Sequence, residues 1–190
     1  MTNSRFYDCC LAECVLDGEL ATIALGQRIE PWLRAGDLIG LEGEMGAGKS
    51  VLARGMIQHA MARDGQSNAD IPSPTYTLVQ HYSRIPPAND ADKQHADKQH
   101  ADMIWHVDLW RIDDPEDVLA FGLDEAMGQD ICIIEWISKL GAYLPPHGLI
   151  ISLLQSEKSK ESHIRTARFM ATSSYAARWN TLLSAAGLIA

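Results

Sequence analysis

The feature that most constrains the fold of this chain is the segment GEMGAGKS, from Gly43 to Ser50. It fits the phosphate-binding loop pattern G-x-x-x-x-G-K-[ST], which joins a buried strand to a helix. Residues 37–41 before it have the composition of a short apolar strand, and apolar residues recur with helical spacing over residues 51–60 after it. The sequence therefore predicts an α/β fold built around a nucleoside triphosphate site.

Each residue type in this loop has a physical role in holding phosphate. Gly43 and Gly48 permit backbone angles that let successive N–H groups converge on an anion, and a helix that starts near Lys49 turns its positive end towards the same point. Lys49 supplies a mobile charge for the β and γ phosphates, while the Ser50 hydroxyl is a candidate Mg²⁺ ligand. The alternative is a glycine-rich turn without chemistry, which the presence of both flanking elements disfavours.

Length and charge limit the domain count and the choice of partners. The chain has 190 residues, of which 46 % are apolar, enough for one domain with a proper core over residues 1–190. A formal net charge of -9 argues against a protein that holds nucleic acid by itself. The N-terminal residues lack the pattern of a signal peptide and no apolar run is long enough to span a membrane, so we expect a cytoplasmic protein.

Residues 86–102 form the least globular part of the sequence. The pentapeptide ADKQH occurs twice in tandem, at residues 91–95 and 96–100. The repeated Asp and His residues suggest a metal site as an alternative, but nothing in the sequence fixes their geometry. We interpret the segment as a flexible loop insertion.

The remaining segments predict a mixed, mostly parallel sheet flanked by helices. Asp17 is placed to cap a helix that carries Leu20, Ile23, Ala24 and Ile29 on one face. Strands separated by helices pair in parallel, and strands with short connections add antiparallel pairs. Besides the strand before the loop, strands are predicted at residues 5–16, 76–82, 104–110, 130–136, 148–155 and 163–172, with a last helix at 175–188.

Two acidic residues are candidates for the roles that phosphoryl transfer needs besides the loop, a Mg²⁺-orienting carboxylate and a group that positions the nucleophile. Glu135 ends the apolar run Ile131–Ile134, as in a Walker B strand, and in a parallel sheet that end lies beside the loop. Asp108 is predicted inside its own apolar strand, where an unpartnered carboxylate would be costly. The two roles are exchangeable at this point, and a salt-bridged structural acid is the alternative for each.

The segment SPTYT, residues 73–77, occupies the position of a switch segment after the first nucleotide helix. Either Thr75 or Thr77 is expected to approach Mg²⁺ or the γ phosphate. The alternative is an ordinary proline-rich entry to a strand. Trp136, directly after Glu135, either packs in the core or forms a wall of the site.

In their order along the chain, the motifs GEMGAGKS, SPTYTLV, HVDLWRIDDPEDVLAFGLDE and ICIIEW resemble those of the TsaE (YjeE) family, over residues 17–168 apart from the insertion. The resemblance implies a P-loop ATPase that binds ATP and Mg²⁺ and is weakly active alone. It further implies action with TsaD and TsaB, which transfer threonylcarbamoyl to adenosine 37 of tRNAs reading ANN codons. Contact with tRNA would be indirect, through that complex.

The family's motifs also imply roles for individual residues. Ser50 and Glu135 match its Mg²⁺ contacts, Asp108 matches the acid of its DLYR-like motif, and Trp136 matches the tryptophan after the glutamate; the implied catalytic residues are Lys49, Asp108 and Glu135. Glu19 and Arg165 fall near its adenine-side positions. The residues that match its phosphate-binding stretch are Met45, Gly46, Ala47, Gly48, Lys49 and Ser50.

Besides the insertion at residues 86–102, which is atypical of the family, two residues depart from its pattern. Trp110 occupies a position where tyrosine is usual, and Val51 follows Ser50 where a second threonine is common. Neither removes a phosphate or metal ligand, but Val51 puts in doubt a second hydroxyl at that point. A small-molecule P-loop kinase and a non-hydrolysing nucleotide-dependent binding module are the alternative functions.

Overall fold

A computed structural model describes residues 7–63, 65–66, 70–85, 102–155 and 163–189. All but the last residue of the 86–102 segment lies outside these ranges, including both ADKQH repeats and the alternative metal site considered there. The flexibility of that segment and the single-domain organisation stay predictions. None of the described helices is long and apolar enough to cross a membrane.

The described residues form seven strands and four α-helices, joined in places by short 3₁₀ helices. The strands are β1 (Cys9–Asp17), β2 (Leu38–Glu42), β3 (Val79–Arg84), β4 (Asp102–Asp108), β5 (Ile131–Glu135), β6 (Leu149–Gln155) and β7 (Ile164–Ala171). The α-helices are α1 (Gly18–Ile29), α2 (Lys49–Arg63), α3 (Leu123–Gln129) and α4 (Ala176–Ala185). The 3₁₀ helices span Glu30–Trp32, Pro115–Phe121 and Ile137–Tyr143.

All seven strands belong to one sheet, in the order β1-β7-β6-β2-β5-β4-β3. β2 is parallel to its neighbours β5 and β6, and β5 is parallel to β4. The pairs β1–β7, β6–β7 and β3–β4 are antiparallel. Five strands thus run in one direction and only β3 and β7 run in the other, which confirms the predicted mixed, mostly parallel sheet.

The central strands are apolar on both faces because helices cover both faces. Every residue of β5 is buried, as expected for a parallel strand in the middle of a covered sheet. Successive side chains of a strand point to opposite faces. Ile39 and Leu41 accordingly pack in a core with residues of α1, α2 and α4, whereas Leu38 packs with residues of α3 on the other face.

The predicted buried face of α1 was right at Ile29 and wrong at Leu20, Ile23 and Ala24. The buried residues are Thr22, Leu25, Gly26 and Ile29, at the i, i+3, i+4, i+7 spacing of one helical face, and Leu20 is 81 % exposed. Asp17 precedes the helix but its side chain makes no capping hydrogen bond. Its carboxylate contacts His163 instead, the residue before β7, with an Oδ1–Nε2 distance of 2.8 Å.

Two predicted strand boundaries also need correction. Tyr76 and Thr77 lie in a turn, and β3 begins only at Val79, after Leu78 adopts a left-handed backbone with φ of 65°. β4 ends at Asp108 and Trp110 lies in the following turn. Asp108 is therefore at the end of its strand and not in the middle, which places it at the carboxyl edge of the sheet.

Candidate nucleotide site

The candidate site lies where the parallel strands β2, β4 and β5 end. Glu135 is the last residue of β5, and it pairs in register with Asp108, the last residue of β4. The phosphate-loop segment follows β2 directly and leads into α2. A cavity of about 330 Å³ opens at this edge, and its lining consists of Met45, Gly46, Gly48, Lys49, Ser50, Val51, Thr75, Asp108, Trp110, Glu135 and Trp136.

The glycines of the loop meet a geometric need at two positions. Gly43 and Gly48 have φ values of 142° and 106°, which side-chain-bearing residues rarely adopt. A Cβ on Gly43 would also lie 2.6 Å from the carbonyl oxygen of Leu153 in β6. The loop then ends in α2, which begins at Lys49 and whose first N–H groups lack partners within the helix. A cradle of this form suits an anion.

Lys49 is held inside the loop by backbone oxygens. Its ammonium group donates to the carbonyl oxygens of Gly43 at 2.7 Å and Glu44 at 2.9 Å, and the residue is 5 % exposed. Nζ also lies 3.6 Å from the centroid of the Trp136 ring. Burial lowers the pKa of Lys49, against the opposing effect of the carboxylates of Glu135, Glu42 and Asp108. The site thus sets several negative charges around one cation.

Hydroxyl groups connect the two candidate acids. Ser50 donates to Oε2 of Glu135 at 2.8 Å, and Thr75 donates to Oδ2 of Asp108 at 2.7 Å. The Ser73 oxygen lies 2.8 Å from that of Thr75 and 3.5 Å from that of Ser50. Since each hydroxyl has one proton and Thr75 uses its own on Asp108, Ser73 is the donor in its short contact with Thr75.

Asp108 has a second fixed partner. Its Oδ1 accepts a hydrogen bond from the backbone N–H of Trp110 at 2.9 Å, so both carboxylate oxygens are oriented. Its own N–H donates to the carbonyl oxygen of Leu78 at 3.0 Å. The turn that contains Thr75 is therefore attached to Asp108 through both a side chain and the backbone.

Two residues next to the site have strained backbones. Leu78 and Trp136, with φ of 65° and 59°, are the non-glycine residues with positive φ in the described part of the chain. Such conformations cost on the order of 1–3 kcal/mol each and cluster at ligand sites and switch regions. At Trp136 the surroundings fix the conformation, because its N–H donates to the Leu41 carbonyl oxygen at 2.9 Å and its ring lies 4.6 Å from that of Trp110.

The donor set at Ser50 and Glu135 fits Mg²⁺. Hydroxyl and carboxylate oxygens are the hard ligands that this ion prefers, and it commonly takes only one or two protein oxygens together with substrate phosphates. Within the described ranges there is no group of three or more His, Cys, Asp or Glu residues that would hold a metal on its own. A Mg²⁺ ion bound here would share its coordination with phosphate.

The structure brings most of the predicted site residues together at this cavity, but not all of them. Thr75 lines it, whereas Thr77 is exposed and is not part of the lining. Ala47 is buried within the loop and does not line the cavity either. Trp136 lines the cavity and also packs against the core cluster on the α3 face of the sheet, so it combines the two alternatives considered for it.

Glu19 and Arg165 lie outside the cavity lining. Glu19 is in the first turn of α1, one turn before Thr22, and a Cβ on Gly48 would lie 3.8 Å from Thr22 Cγ2. Arg165 is in β7, opposite Leu16 of β1. The first turn of α1 thus lies near the loop, and contact of Glu19 or Arg165 with an adenine base stays a prediction.

Sequence reasoning missed His106 and did not single out Ser73. His106 is buried in β4 and its Nε2 lies 2.9 Å from Oε1 of Glu135. The available signal was the spacing of His106 and Asp108, since residues two apart in a strand point to the same face. Ser73 carried no such signal, because its contact with Thr75 depends on the shape of the turn.

Comparisons with a family model and with individual relatives point to the same family. The family model for "Threonylcarbamoyl adenosine biosynthesis protein TsaE" matches residues 16–164. The tRNA threonylcarbamoyladenosine biosynthesis protein TsaE of Mycobacterium leprae is 34 % identical over 153 residues, which cover 77 % of this chain and 82 % of that protein. The protein of the same name from Haemophilus influenzae is 36 % identical over 117 residues, 61 % of this chain and 61 % of that protein.

The fold also has a solved counterpart. The crystal structure of Bacillus subtilis YdiB matches with a TM-score of 0.65, covering 92 % of this chain and 93 % of that one. The sequence identity is 20 %, so this likeness concerns the fold alone. It includes the arrangement of the sheet and its helices.

Proposed function

This chain belongs to the TsaE family, and from that premise we propose that it is a Mg²⁺-dependent ATPase of threonylcarbamoyladenosine biosynthesis on tRNA. The observation that carries the ATPase proposal is the 2.8 Å hydrogen bond from Ser50 to Glu135. It joins the last residue of a phosphate loop to a carboxylate at the end of the neighbouring parallel strand. A ligand pair of this kind, next to a loop lysine, is what a P-loop NTPase uses to hold Mg²⁺ with its nucleotide.

Residues Met45 to Ser50 bind the phosphates of ATP in this proposal. The loop supplies backbone N–H groups and the start of α2, which favour negative charge. Lys49 adds a positive charge that is already enclosed by the loop. Glu19 and Arg165 would contact the adenine side of the nucleotide.

Ser50 and Glu135 hold Mg²⁺, which neutralises charge on the phosphates when it is bound. Asp108 helps to place the attacking water. The hydrogen bonds support this division of roles, because Ser50 contacts Glu135, whereas Asp108 is oriented by Thr75 and by the N–H of Trp110. An oriented acceptor at the cavity wall suits a water molecule that must be held in one direction.

The partners and the location come from the family. We propose that the chain acts in the cytoplasm with homologues of TsaD and TsaB, and that it contacts tRNA only through that assembly. The net charge of -9 supports the last point, because binding nucleic-acid phosphates requires a concentrated basic surface.

ATP hydrolysis measured with and without the TsaD and TsaB homologues tests the proposal. We expect slow release of inorganic phosphate by the chain alone and faster release in the mixture. Lys49→Ala, which removes the loop cation, should abolish the faster release and also tRNA modification in cells. ATP loss that stays at background under both conditions would contradict the ATPase proposal.

The same assay separates the alternatives. A kinase would transfer the phosphoryl group to a small-molecule hydroxyl, so ATP would be consumed without a matching amount of inorganic phosphate. A non-hydrolysing binding module would bind nucleotide, measured by calorimetry, and would show no turnover. Co-purification of the chain with the TsaD and TsaB homologues tests the partners independently of hydrolysis.

A further inference from the structure

His106 touches the candidate site from its buried side, and the roles proposed above do not use it. Its side chain is 1 % exposed and that of Glu135 is 2 % exposed. It points to the same face of β4 as Asp108, two residues further from the carboxyl edge, where it pairs with Ile133 of β5. This position makes His106 a diagonal neighbour of Glu135 across the two strands.

The hydrogen bonds of the imidazole identify its tautomer. Nε2 lies 2.9 Å from Oε1 of Glu135, and Nδ1 is buried without a hydrogen-bond partner among the described residues. A proton on Nδ1 would be a buried unsatisfied donor, which is costly, whereas a lone pair there costs less. The arrangement that leaves no donor unsatisfied has its single proton on Nε2. His106 is then a donor to Glu135.

The two oxygens of Glu135 therefore have different partners. His106 occupies Oε1 on the buried side, and Ser50 occupies Oε2 on the side of the cavity. A glutamate side chain without the first contact would be free to turn its carboxylate plane, because the last torsion of glutamate is broad. With it, the orientation of Oε2 towards Ser50 is fixed before any ligand arrives.

We propose that His106 is a positioning residue, which holds Glu135 so that Oε2 and the Ser50 hydroxyl together present a Mg²⁺ site. This inference rests on the proposed function of Ser50 and Glu135. Carboxylates that ligate metals are commonly held by such outer hydrogen bonds, and loss of the partner typically lowers metal affinity about ten- to hundredfold. His106 itself touches neither metal nor nucleotide in this role.

Two substitutions separate positioning from simple packing. His106→Gln can place its amide N–H close to the position of Nε2 and so keep the donor to Glu135. His106→Leu fills a similar volume with an apolar side chain and removes the donor. Both variants lose the ring, so a role that depends on ring packing alone would affect both alike.

The measurement is the affinity for a non-hydrolysable ATP analogue by calorimetry, once with excess Mg²⁺ and once with EDTA. The ratio of the two affinities reports the contribution of the metal, and the EDTA value reports the rest of the site. We expect His106→Leu to keep the EDTA value and to lose about ten- to hundredfold of the Mg²⁺ enhancement, or all of it if the enhancement is smaller. His106→Gln should retain most of the enhancement.

Each outcome decides between the possibilities. If Mg²⁺ increases the nucleotide affinity equally in wild type and His106→Leu, the positioning role is overturned and the proposed function is left intact. The same conclusion follows if the Gln and Leu variants lose equal amounts of this Mg²⁺ enhancement. No enhancement in the wild type would remove the proposed Mg²⁺ site itself, and the inference with it. If melting curves show that His106→Leu does not fold, His106→Asn takes its place, since its shorter amide cannot reach Glu135.

Discussion

Glu30 and Glu135 are both buried glutamates, but their partners differ in charge. Glu30 is 0 % exposed, and its carboxylate contacts the guanidinium groups of Arg63 and Arg84 and also Nδ1 of His59. The Glu135 carboxylate contacts only an imidazole and a hydroxyl among the described residues. Two permanent cations thus contact the first carboxylate directly, whereas an imidazole and a hydroxyl orient the second.

This difference in partners indicates different roles for the Glu30 and Glu135 carboxylates. The contacts of Glu30 join the 3₁₀ helix after α1 to α2 and β3, and Arg84 also donates to the Leu33 carbonyl oxygen at 2.9 Å. Such a cluster is complete without a ligand. At the nucleotide site the carboxylates of Glu42, Asp108 and Glu135 all act on Lys49. Negative charge is in excess there, and a bound cation would balance it.

The largest expected effect is on stability, from Glu30→Ala. Removal of this carboxylate takes away the anion that contacts the buried guanidinium of Arg84, which should lower the free energy of unfolding by about 3–5 kcal/mol in urea denaturation. The nucleotide affinity of the folded variant should stay within about twofold of wild type, well inside 1 kcal/mol.

The control for that variant is Glu13→Ala. Glu13 contacts Arg168 on the exposed surface of the β1–β7 pair, and surface ion pairs contribute little to stability. Its unfolding midpoint should hardly move. If Glu30→Ala behaved like this control, the Glu30 cluster would not stabilise the fold as described.

Glu135→Gln should give the opposite result, a loss of activity without a loss of stability. The amide has the shape of the carboxylate and can still bond to His106 and Ser50, so the free energy of unfolding should change by less than about 1 kcal/mol. Partner-stimulated ATP turnover should fall about 10²–10³-fold, because the charge that holds Mg²⁺ is removed. An active variant, or one with a strongly reduced unfolding midpoint, would place Glu135 with Glu30 as a structural acid.

A smaller effect is expected at the turn that precedes β3. Thr75→Val removes the donor to Asp108, and ATP turnover should fall about tenfold, the equivalent of one hydrogen bond to a charged group. Thr77→Val is the matched control, because Thr77 is exposed and does not line the cavity. Equal effects of the two substitutions on turnover would show that Asp108 does not depend on Thr75.

The smallest effect is expected from deletion of residues 91–100, the two ADKQH repeats. Residues 85–101 connect Arg84 and Asp102, which already pair in the β3–β4 ladder. Because the entropy of loop closure changes slowly with length, the free energy of unfolding should shift by less than about 1 kcal/mol. A large drop in the unfolding midpoint would show that the repeats pack against the rest of the chain. The contact of Glu30 with Arg84 would then depend on the repeats for its contribution to stability.

Much of the fold followed from local patterns. The apolar runs within residues 37–41 and 130–136 predicted strands, and β2 and β5 form there. Residues 38–41 and 131–134 are apolar throughout because helices cover both faces of the sheet. The buried face of α1 was mostly missed because Leu20 and Ile23 also have helical spacing, and only packing against α2 selects Thr22 and Leu25 instead. The local hydrophobic pattern therefore does not determine which residues of α1 are buried.

In the candidate site, too, the sequence placed one acid correctly and the other incorrectly within its strand. Glu135 was predicted at the carboxyl edge because an acid that ends an apolar strand has a defined place in a parallel sheet. Asp108 was placed in the middle of its strand, because residues 109 and 110 are also apolar and extend the pattern. Its strand ends at residue 108, where the chain turns, and only then does the acid face the cavity.

The sequence by itself determined that a phosphate loop joins a strand to a helix, and that Lys49, Ser50 and a strand-terminal acid belong to one site. These features depend on short spacings that a motif records. Tertiary structure alone decided that Thr75 and not Thr77 reaches Asp108, and that His106 contacts Glu135. Such contacts depend on the register of β4 against β5 and on the shape of a turn, which are set by packing between segments far apart in the chain.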